Sequence, residues 1–366
     1  MIVSHIARES RMRSLGCLAV VLCLLVPADG RANRQEPPAA ASLSVKCEPS
    51  VLQAPWTGTD TLACQVASTG AIEPDVALAC EDVPAGLACK VSSPVPRPSS
   101  GPGVIATLTV NYAETLAPGR SSFRIVARQG DSQAAHAVTV VKDLHTVSAR
   151  CPSVDEIRAI DRDLRLEFDS DPTKDVVSAE RCTESGGSRN LTVMQARVYR
   201  ALATLRRLTF REPLPWTRDP VYRWFTRTVR GVRFRGDITN SSCCGPDRLI
   251  NVAARLQVVN GRTQSGFGLA VTDPASRMPT DFRMIVQFLQ LLVHEARHRD
   301  GKPHTCGTRD RTLAEMGAYG AAWAFQRWTA EQAAPGLVPP DLQAQLLQSA
   351  ANLCKGTICT GPCSLQ

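Results

Sequence analysis

Hydrophobic and polar residues alternate in short runs through the first part of the chain, from residue 43 to about residue 142. A period of two is typical of β-strands, because successive side chains point to opposite faces of a sheet. Turns that contain proline and glycine separate the runs at intervals typical of β-sandwiches. The pattern predicts strands within residues 43–45, 61–66, 76–78, 104–110, 123–126 and 137–141.

The pattern becomes helical near Cys151, where hydrophobic residues begin to recur every three or four positions. It predicts one helix that begins after Thr280 or Asp281, either of which can cap it, and that stops before Gly301. One face of this helix is hydrophobic through Ile285, Phe288, Leu289, Leu292 and Ala296. The other predicted helices cover residues 192–209, 219–229, 312–328 and 341–353, and two short strands cover 231–235 and 249–252.

Residues 1–30 have the three parts of a secretory signal peptide. A basic region precedes a hydrophobic run at residues 15–26, and small residues follow it. The run has about a dozen residues, which is short for a membrane span, so we expect cleavage near residue 30; a retained N-terminal anchor is the alternative. A polar linker at residues 31–42 follows, and no later segment predicts a membrane span.

The composition limits the possible cellular compartment and the possible binding partners. Of the fourteen cysteines, Cys17 and Cys23 belong to the signal segment and twelve remain. Export places these twelve in an oxidising compartment, so we expect disulfides rather than thiolate ligands. The net charge is +8, but the basic residues are dispersed and no aromatic residues alternate with them. We therefore expect no nucleic-acid partner.

Cysteine-containing segments accompany the predicted strands. They are Cys47-Glu48-Pro49-Ser50-Val51, Cys64, and residues 80–89, which begin and end with cysteine. With these segments, residues 43–145 resemble the Ig-like β-sandwich modules of secreted bacterial enzymes. The resemblance implies the disulfides Cys47–Cys64 and Cys80–Cys89. A fold alone does not determine function, so two roles remain open. The module could act as a spacer or in adhesion, or it could assist folding and bind no ligand.

Residues 294–304 carry the clearest chemical signal, since three of the six histidines lie in this segment. His294 and His298 are four positions apart, so on a helix both imidazoles can reach one metal ion. Glu295 follows His294 and is placed to take a proton from a water molecule that a metal activates. Together these residues predict a zinc site with two ligands from one helix.

The whole segment matches the pattern H-E-x-x-H-x-x-G-x-x-H and resembles the metzincin group of zincin metallopeptidases. The resemblance implies that His294, His298 and His304 bind Zn²⁺ and that Glu295 is the general base. It also implies that Gly301 forms the turn that brings His304 back to the metal.

The resemblances together imply a multidomain fold class. We expect an all-β Ig-like sandwich at residues 43–145, followed by an α+β zincin-like domain at residues 150–330 with an HExxH active-site helix. A cysteine-rich C-terminal extension would occupy residues 331–366.

A second set of residues competes for the third ligand position. The predicted helix 312–328 contains Glu315, Met316 and Tyr319. The predicted order is one helix, a connection, and a second helix that carries a glutamate, and this order resembles the gluzincin arrangement. In that arrangement Glu315 would replace His304 as the third ligand. Tyr319 lies on the same predicted helix face as Glu315 and is a candidate to stabilise an oxyanion.

Three further features near the motif have alternative interpretations. We expect Cys306 to form a disulfide with a C-terminal cysteine, although a thiolate can also bind zinc. Cys243 and Cys244 are adjacent. We expect them to join two separate disulfides rather than each other, because geometry disfavours a vicinal bridge. Arg297 and Arg299 are expected to be exposed to solvent, although either could contact a substrate carboxylate.

These features predict a secreted or cell-surface zinc metallopeptidase that hydrolyses peptide bonds in a protein or peptide substrate, with Zn²⁺ as its cofactor and no stable membrane span after signal cleavage. The alternative is an extracellular binding or adhesion protein in which the zinc site is structural or inactive.

Overall fold

The structure is a computed structural model. It describes residues 42–69, 76–91, 103–149, 152–168, 191, 193–238, 240–253, 256–259, 262–265 and 282–365. The predicted signal segment, most of the linker, the two candidate caps Thr280 and Asp281, and Cys151 lie outside these residues. Contacts group residues 41–366 into one compact unit, and the predicted boundary at residues 145–150 falls inside it.

The first part of the described chain consists of β-strands. They are β1 Leu43–Glu48, β2 Val51–Gln53, β3 Gly58–Ser68, β4 Ala77–Glu81, β5 Leu87–Val91, β6 Val104–Tyr112, β7 Gly119–Gln129 and β8 Ser132–Lys142. The predicted strands are confirmed, and most are longer than the alternating pattern indicated. Two strands, β2 and β5, were not predicted. β2 has only three residues, which are too few for alternation to be recognised.

These strands form two four-stranded sheets, in the orders β1-β3-β6-β5 and β2-β8-β7-β4. Pairing is antiparallel except for β2 with β8. Both sheets contribute to one hydrophobic cluster, for example through Leu62 and Leu108 from the first sheet and Phe123 and Val138 from the second. The alternating side chains therefore bury one face of each sheet against the other.

Both disulfides that the Ig-like resemblance implied are present. Cys47–Cys64 joins β1 to β3 at directly paired positions. Cys80–Cys89 joins β4 to β5 and so connects the two sheets.

The rest of the described chain is mixed α and β. Its helices are α1 Leu144–Ala149, α2 Val154–Asp163, α3 Val193–Arg207, α4 Val221–Thr228, α5 Phe282–Arg299, α6 Ala318–Gln332 and α7 Pro340–Thr357, and a short 3₁₀ helix covers Leu313–Glu315. Its strands are β9 Arg165–Phe168, β10 Gly231–Arg235, β11 Leu249–Ala253, β12 Leu256–Val259 and β13 Arg262–Ser265. Strands β9, β10 and β11 form a parallel sheet in the order β11-β10-β9, and β12 pairs with β13. Among the described helices, none is long and apolar enough to cross a membrane.

The predicted helix 312–328 is wrong at its start. The 3₁₀ helix ends at Glu315, Met316 adopts a left-handed conformation with φ 44°, and α6 begins only at Ala318. The hydrophobic spacing continues across this break because Leu313, Met316 and Trp323 pack into one small cluster. Periodicity alone therefore could not reveal the turn.

A contact that combines hydrophobic and charged side chains helps to attach the β-rich part to the helices. Trp56, which follows β2, belongs to the hydrophobic cluster of the helical part. Lys142 and Arg207 both lie over its ring, at 5.6 and 5.8 Å from the ring centre. Arg207 also pairs with Glu114 and Glu156. Burial together with the nearby Arg207 charge lowers the pKa of Lys142, whose ammonium donates to the carbonyl oxygens of residues 114 and 116.

Candidate metal centre

Helix α5 carries the first two histidines at the edge of the core. Its predicted hydrophobic face is buried, through Ile285, Phe288, Leu289, Leu292 and Ala296. That face packs with α3, α4 and α6. His294 lies at the border of this face and is 9% exposed. The hydrophobic contacts of α5 therefore fix the direction in which the His294 and His298 side chains point.

A tight turn after α5 returns the chain toward the two histidines. The amide of Gly301 donates to the carbonyl of His298 at 3.1 Å, and Gly301 has φ 75°. This left-handed conformation favours glycine, and a Cβ atom at Gly301 would meet no other atom within 4 Å. Glycine is therefore needed here for its backbone conformation rather than for space.

The turn brings three imidazoles together, as the motif predicted. One possible ligand atom from each of His294, His298 and His304 lies within 4.8 Å of the other two, so the group could hold a metal ion. The ring centres of His298 and His304 are 4.6 Å apart, and that of His294 is 4.9 and 5.3 Å from them.

Each imidazole also has a polar partner outside the group. Nδ1 of His298 lies 2.9 Å from the carbonyl oxygen of Lys302, and Nδ1 of His304 lies 2.9 Å from Oδ1 of Asp310. His294 makes a hydrogen bond to the backbone of Ala318. Histidine ligands of metals almost always use one ring nitrogen in this way, which fixes the ring and leaves the other nitrogen for the metal. In His298 and His304, Nε2 is the nitrogen that remains.

Burial keeps His294 and His298 in the neutral form that binds metals. Burial, with smaller contributions from the neighbouring His298 and His304, lowers the pKa of His294 to about 3. Burial also lowers the pKa of His298.

Asp310 is a site residue that the sequence analysis missed. Its side chain is fully buried; Oδ1 contacts His304 and Oδ2 accepts the amide N–H of Gly320 at 2.9 Å. A Cβ atom at Gly317 would lie 2.5 Å from that Oδ2, so the absence of a side chain there makes room for the carboxylate. The sequence signal was a carboxylate six residues after His304, with Gly317 and Gly320 downstream.

The loop that carries His304 and Asp310 is attached to the C-terminal tail. Cys306 forms a disulfide with Cys359, which confirms that it pairs with a C-terminal cysteine. The Asp310 backbone adds a hydrogen bond from its amide to the Thr357 carbonyl at 3.1 Å, and its carbonyl accepts from the amide of Cys359 at 2.9 Å. A second disulfide, Cys354–Cys363, closes the tail. The predicted C-terminal extension therefore supports the metal centre.

Glu315 stands outside the group of histidines. It lies in the 3₁₀ helix rather than on α6, and its Oε2 accepts a hydrogen bond from the Thr305 hydroxyl at 2.5 Å. Among the described residues, the group that could hold a metal ion consists of the three histidines and does not include Glu315. The shared helix face expected for Glu315 and Tyr319 is absent, because Met316 and Gly317 separate the two helices.

Tyr319 does lie at the site. Its ring centre is 4.4 Å from that of His294 and 4.9 Å from that of His304. The Tyr319 and His304 rings are stacked. Burial raises the pKa of the phenol, and the charges of Asp310 and Glu295 raise it further. The hydroxyl therefore keeps its proton and can act as a hydrogen-bond donor.

Arg297 is not exposed, contrary to the prediction. It is buried, its Nε donates to the Met316 carbonyl at 2.9 Å, and it pairs with Asp300 at 2.9 Å. Asp300 also accepts from the Trp224 indole at 2.9 Å. These contacts attach the turn at Met316 to the end of α5.

Glu295 lies beside the histidines and is 5% exposed. Burial raises its pKa to about 7, and a hydrogen bond from the backbone of Cys243 partly opposes this. A carboxyl with a pKa near 7 can both accept and donate a proton at neutral pH.

A cleft of about 1130 Å³ opens over these residues. It is lined by Asn240, Ser241, Ser242, Cys243, Gln287, Gln290, Leu291, His294, Glu295, His298, His304, Thr308, Tyr319, Ser349, Asn352, Leu353, Gly356 and Thr357. Residues 240–243 form one wall and α7 contributes another, and the side chains outside the metal group are mostly uncharged amides and hydroxyls.

Cys243 and Cys244, which line or adjoin this cleft, form a disulfide with each other. The prediction that they join two separate disulfides is wrong. Both side chains pack against the main hydrophobic cluster.

The chain matches no protein-family model, and no curated protein matches it. The chemistry of the site therefore rests on its residues and their geometry.

Proposed function

We propose that the protein is a secreted zinc metallopeptidase in which His294, His298 and His304 bind Zn²⁺ and Glu295 is the general base. The observation that carries this proposal is the convergence of three histidine side chains, each with an outer polar partner, next to a buried carboxylate in an open cleft. Neutral imidazoles are preferred zinc ligands, and three protein ligands with a free position are typical of catalytic zinc sites. The residues present therefore fit this ion.

A zinc ion held there would polarise a substrate carbonyl and lower the pKa of a water molecule. Glu295 takes the proton from the attacking water at its carboxylate and then gives it to the amine that leaves. Its pKa of about 7 suits both steps at neutral pH. The low exposure of Glu295 also limits competition from bulk water.

Tyr319 is the residue that we assign to the substrate oxygen. Its ring contacts those of His294 and His304, and burial and nearby carboxylates favour its protonated state. A neutral phenol can donate a hydrogen bond to the negative charge that develops on the carbonyl oxygen.

We also propose the finer fold assignment, an Ig-like sandwich followed by a zincin-like domain. The two four-stranded sheets around one cluster, with both implied disulfides, support the first part. The helix with two histidines supports the second. The disulfides among the described residues also fit an extracellular protein.

Glu295→Gln tests the proposed reaction. We expect this variant to retain stoichiometric zinc and to lose hydrolysis of a casein-type substrate, because an amide cannot take the proton. Glu331→Gln is the matched control, since Glu331 pairs with Arg327 on the same helix, α6. Turnover by Glu295→Gln at the wild-type rate would contradict the proposal.

Metal analysis of His304→Ala and Glu315→Ala tests the ligand set. We expect His304→Ala to lose zinc and Glu315→Ala to keep it. His145→Ala is the control, because His145 lies away from the site and faces Asp341. Zinc loss in Glu315→Ala alone would favour the gluzincin-like arrangement.

The adhesion alternative makes a different prediction for the wild-type protein. Zinc would be present, but no hydrolysis would occur under any condition. Hydrolysis that stops with a chelator and returns with added zinc would exclude it.

A further inference from the structure

We propose that Gln290 is a substrate-binding residue whose side-chain amide donates a hydrogen bond to a main-chain carbonyl of a bound peptide, and that Gln326 orients this amide. The role depends on the proposed peptidase function, because it concerns the substrate of that site. Neither glutamine belongs to the metal motif.

Gln290 lies on the face of α5 that borders the cleft. Gln287, Gln290, Leu291, His294 and His298 line the cleft, and their spacing of three or four positions places them on one helix face. Gln290 precedes His294 by four residues, which is about 6 Å along the helix axis. An extended peptide advances about 3.3 Å per residue. A peptide that lies along this face would therefore meet Gln290 about two residues from the bond that is cut.

Helix α6 fixes one end of the Gln290 amide. Nε2 of Gln326 donates a hydrogen bond to Oε1 of Gln290. Gln326 is 1% exposed and belongs to α6, which packs against α5. A buried donor has no water molecule to bond in place of its partner, so losing this bond would be costly. Gln290 is therefore held through its oxygen.

The other end of the Gln290 amide is open. Nε2 of Gln290 has no hydrogen-bond partner among the described residues. It is also absent from the buried side-chain atoms that lack a partner, so solvent reaches it. Because Gln326 occupies the oxygen, the group that Gln290 offers to the cleft is an N–H donor.

Gln326 itself is retained at a cost. Its Oε1 is buried and has no partner among the described residues. Burying a polar atom without a partner lowers stability, and a hydrophobic side chain of similar length would avoid that loss. The side-chain hydrogen bond that this glutamine makes goes to Gln290. This bond is the contact that a glutamine provides and a hydrophobic residue would not.

The charges of the cleft favour a main-chain carbonyl as the acceptor. Apart from Glu295, the described residues that line the cleft include no carboxylate, lysine or arginine. Those residues therefore offer a charged substrate side chain no ionic partner other than Glu295. A neutral donor fixed on a helix suits the carbonyl oxygen, which every residue of a peptide carries.

Steady-state kinetics of Gln290→Met test the contact. Wild type first digests casein, and mass spectrometry identifies a cleaved segment that then serves as a synthetic peptide substrate. We expect KM to rise about threefold to tenfold with kcat and zinc content unchanged, because one neutral hydrogen bond to the substrate is lost. Gln345→Met is the matched control and should keep the wild-type KM, since Gln345 is exposed on α7 and does not line the cleft.

Gln326→Met tests the orientation of the amide. Methionine has a similar length but no donor, so we expect KM to rise in the same direction. In Gln290→Met/Gln326→Met, KM should equal that of Gln290→Met alone, because Gln326 acts through Gln290. This double variant removes both partners of the hydrogen bond and leaves no unpaired donor in the core, so it should fold like wild type. A further rise of KM in the double variant would overturn the positioning role of Gln326.

Ester analogues of the peptide identify the acceptor. In each analogue an oxygen replaces one amide N–H, which makes the adjacent carbonyl a weaker acceptor. We expect one position, about two residues from the cleaved bond, at which the ester raises KM of wild type but not of Gln290→Met. If Gln290→Met raises KM but no ester has this selective effect, the main-chain assignment is wrong.

The outcomes separate the substrate contact from the proposed function. Hydrolysis by wild type together with an unchanged KM in Gln290→Met and in the double variant would overturn the role of Gln290 and leave the peptidase intact. A loss of zinc, or a lower kcat with an unchanged KM, would assign Gln290 a structural role and overturn the substrate contact. No zinc-dependent hydrolysis by wild type would overturn the peptidase, and the substrate contact would fall with it.

Discussion

The paired sheets and the candidate metal centre are stabilised in different ways. The sheets share a hydrophobic cluster made of side chains that alternate along each strand. The candidate metal centre depends on polar contacts, such as those of Asp310 with His304 and Gly320, and on the Cys306–Cys359 bridge, which spans 53 residues of sequence. Hydrophobic alternation along the sequence therefore reveals the sheets, whereas the candidate metal centre depends on polar contacts that no periodic pattern reveals. Five substitutions can break or sharpen this comparison.

The largest effect is expected in the sheets. Phe123 on β7 is 1% exposed and lies in their cluster. Phe123→Ala should lower the free energy of unfolding by about 3–5 kcal/mol, because the transfer energy is lost and a cavity remains. Chemical denaturation measures this change. Zinc stoichiometry of the folded variant should equal that of wild type; zinc loss would mean that the two regions are not separable.

The second effect concerns Glu295 in the metal-free protein. Its folded pKa of about 7 lies above the ordinary value of 4.5 for a glutamate, so the folded state binds the proton more tightly than the unfolded state. The stability that this carboxyl contributes is present below about pH 4.5 and is lost as the pH rises through 7. Relative to Glu295→Gln, wild type should therefore lose about 3 kcal/mol over this interval.

Denaturation of both proteins with a chelator present, at several pH values, measures that difference. His294 has the opposite effect on the pH dependence of stability, because burial lowers its pKa to about 3. It is present in both proteins and cancels in the comparison. A difference that does not change with pH would show that Glu295 is not buried as described.

The sequence predicted the parts of this molecule that depend on local periodicity. Alternation located the strands, and the spacing of His294 and His298 located two of the three clustered histidines. It could not predict Asp310, because that carboxylate is held by contacts with His304 and Gly320 in a segment without a periodic hydrophobic pattern. Nor could it predict the turn at Met316, whose hydrophobic side chain fits a helical pattern although its backbone does not.

The third prediction concerns the outer partner of His304. Asp310→Asn should weaken zinc binding about tenfold to a hundredfold, because it removes the charged acceptor that orients the His304 imidazole. Competition with a chelating dye measures the affinity. Asp341→Asn, at an exposed carboxylate near His145, is the matched control and should bind zinc like wild type.

Gly317→Ala sharpens the same point without changing a charge. Gly317 has φ −64°, so alanine meets no backbone strain there. Its Cβ atom would nevertheless overlap Oδ2 of Asp310. We expect a loss of zinc affinity similar to that of Asp310→Asn. Gly356→Ala is the control and should have no effect on zinc affinity, because a Cβ atom there meets nothing within 4 Å. Equal zinc affinities of wild type, Gly317→Ala and Gly356→Ala would refute the role of Asp310.

The smallest effect is expected for an ion pair on the surface of the sheets. Arg124 on β7 donates to Asp82 at 2.8 Å and pairs with Glu81 at 3.4 Å, but about half of its side chain is exposed. Arg124→Ala should cost less than about 1 kcal/mol, because solvent and salt screen such a pair. The same loss of a charged contact at the buried Asp310 should be larger, since no solvent replaces the missing group. If the two substitutions had equal effects on stability, burial would not be what distinguishes the polar contacts of the metal centre from those of the sheets.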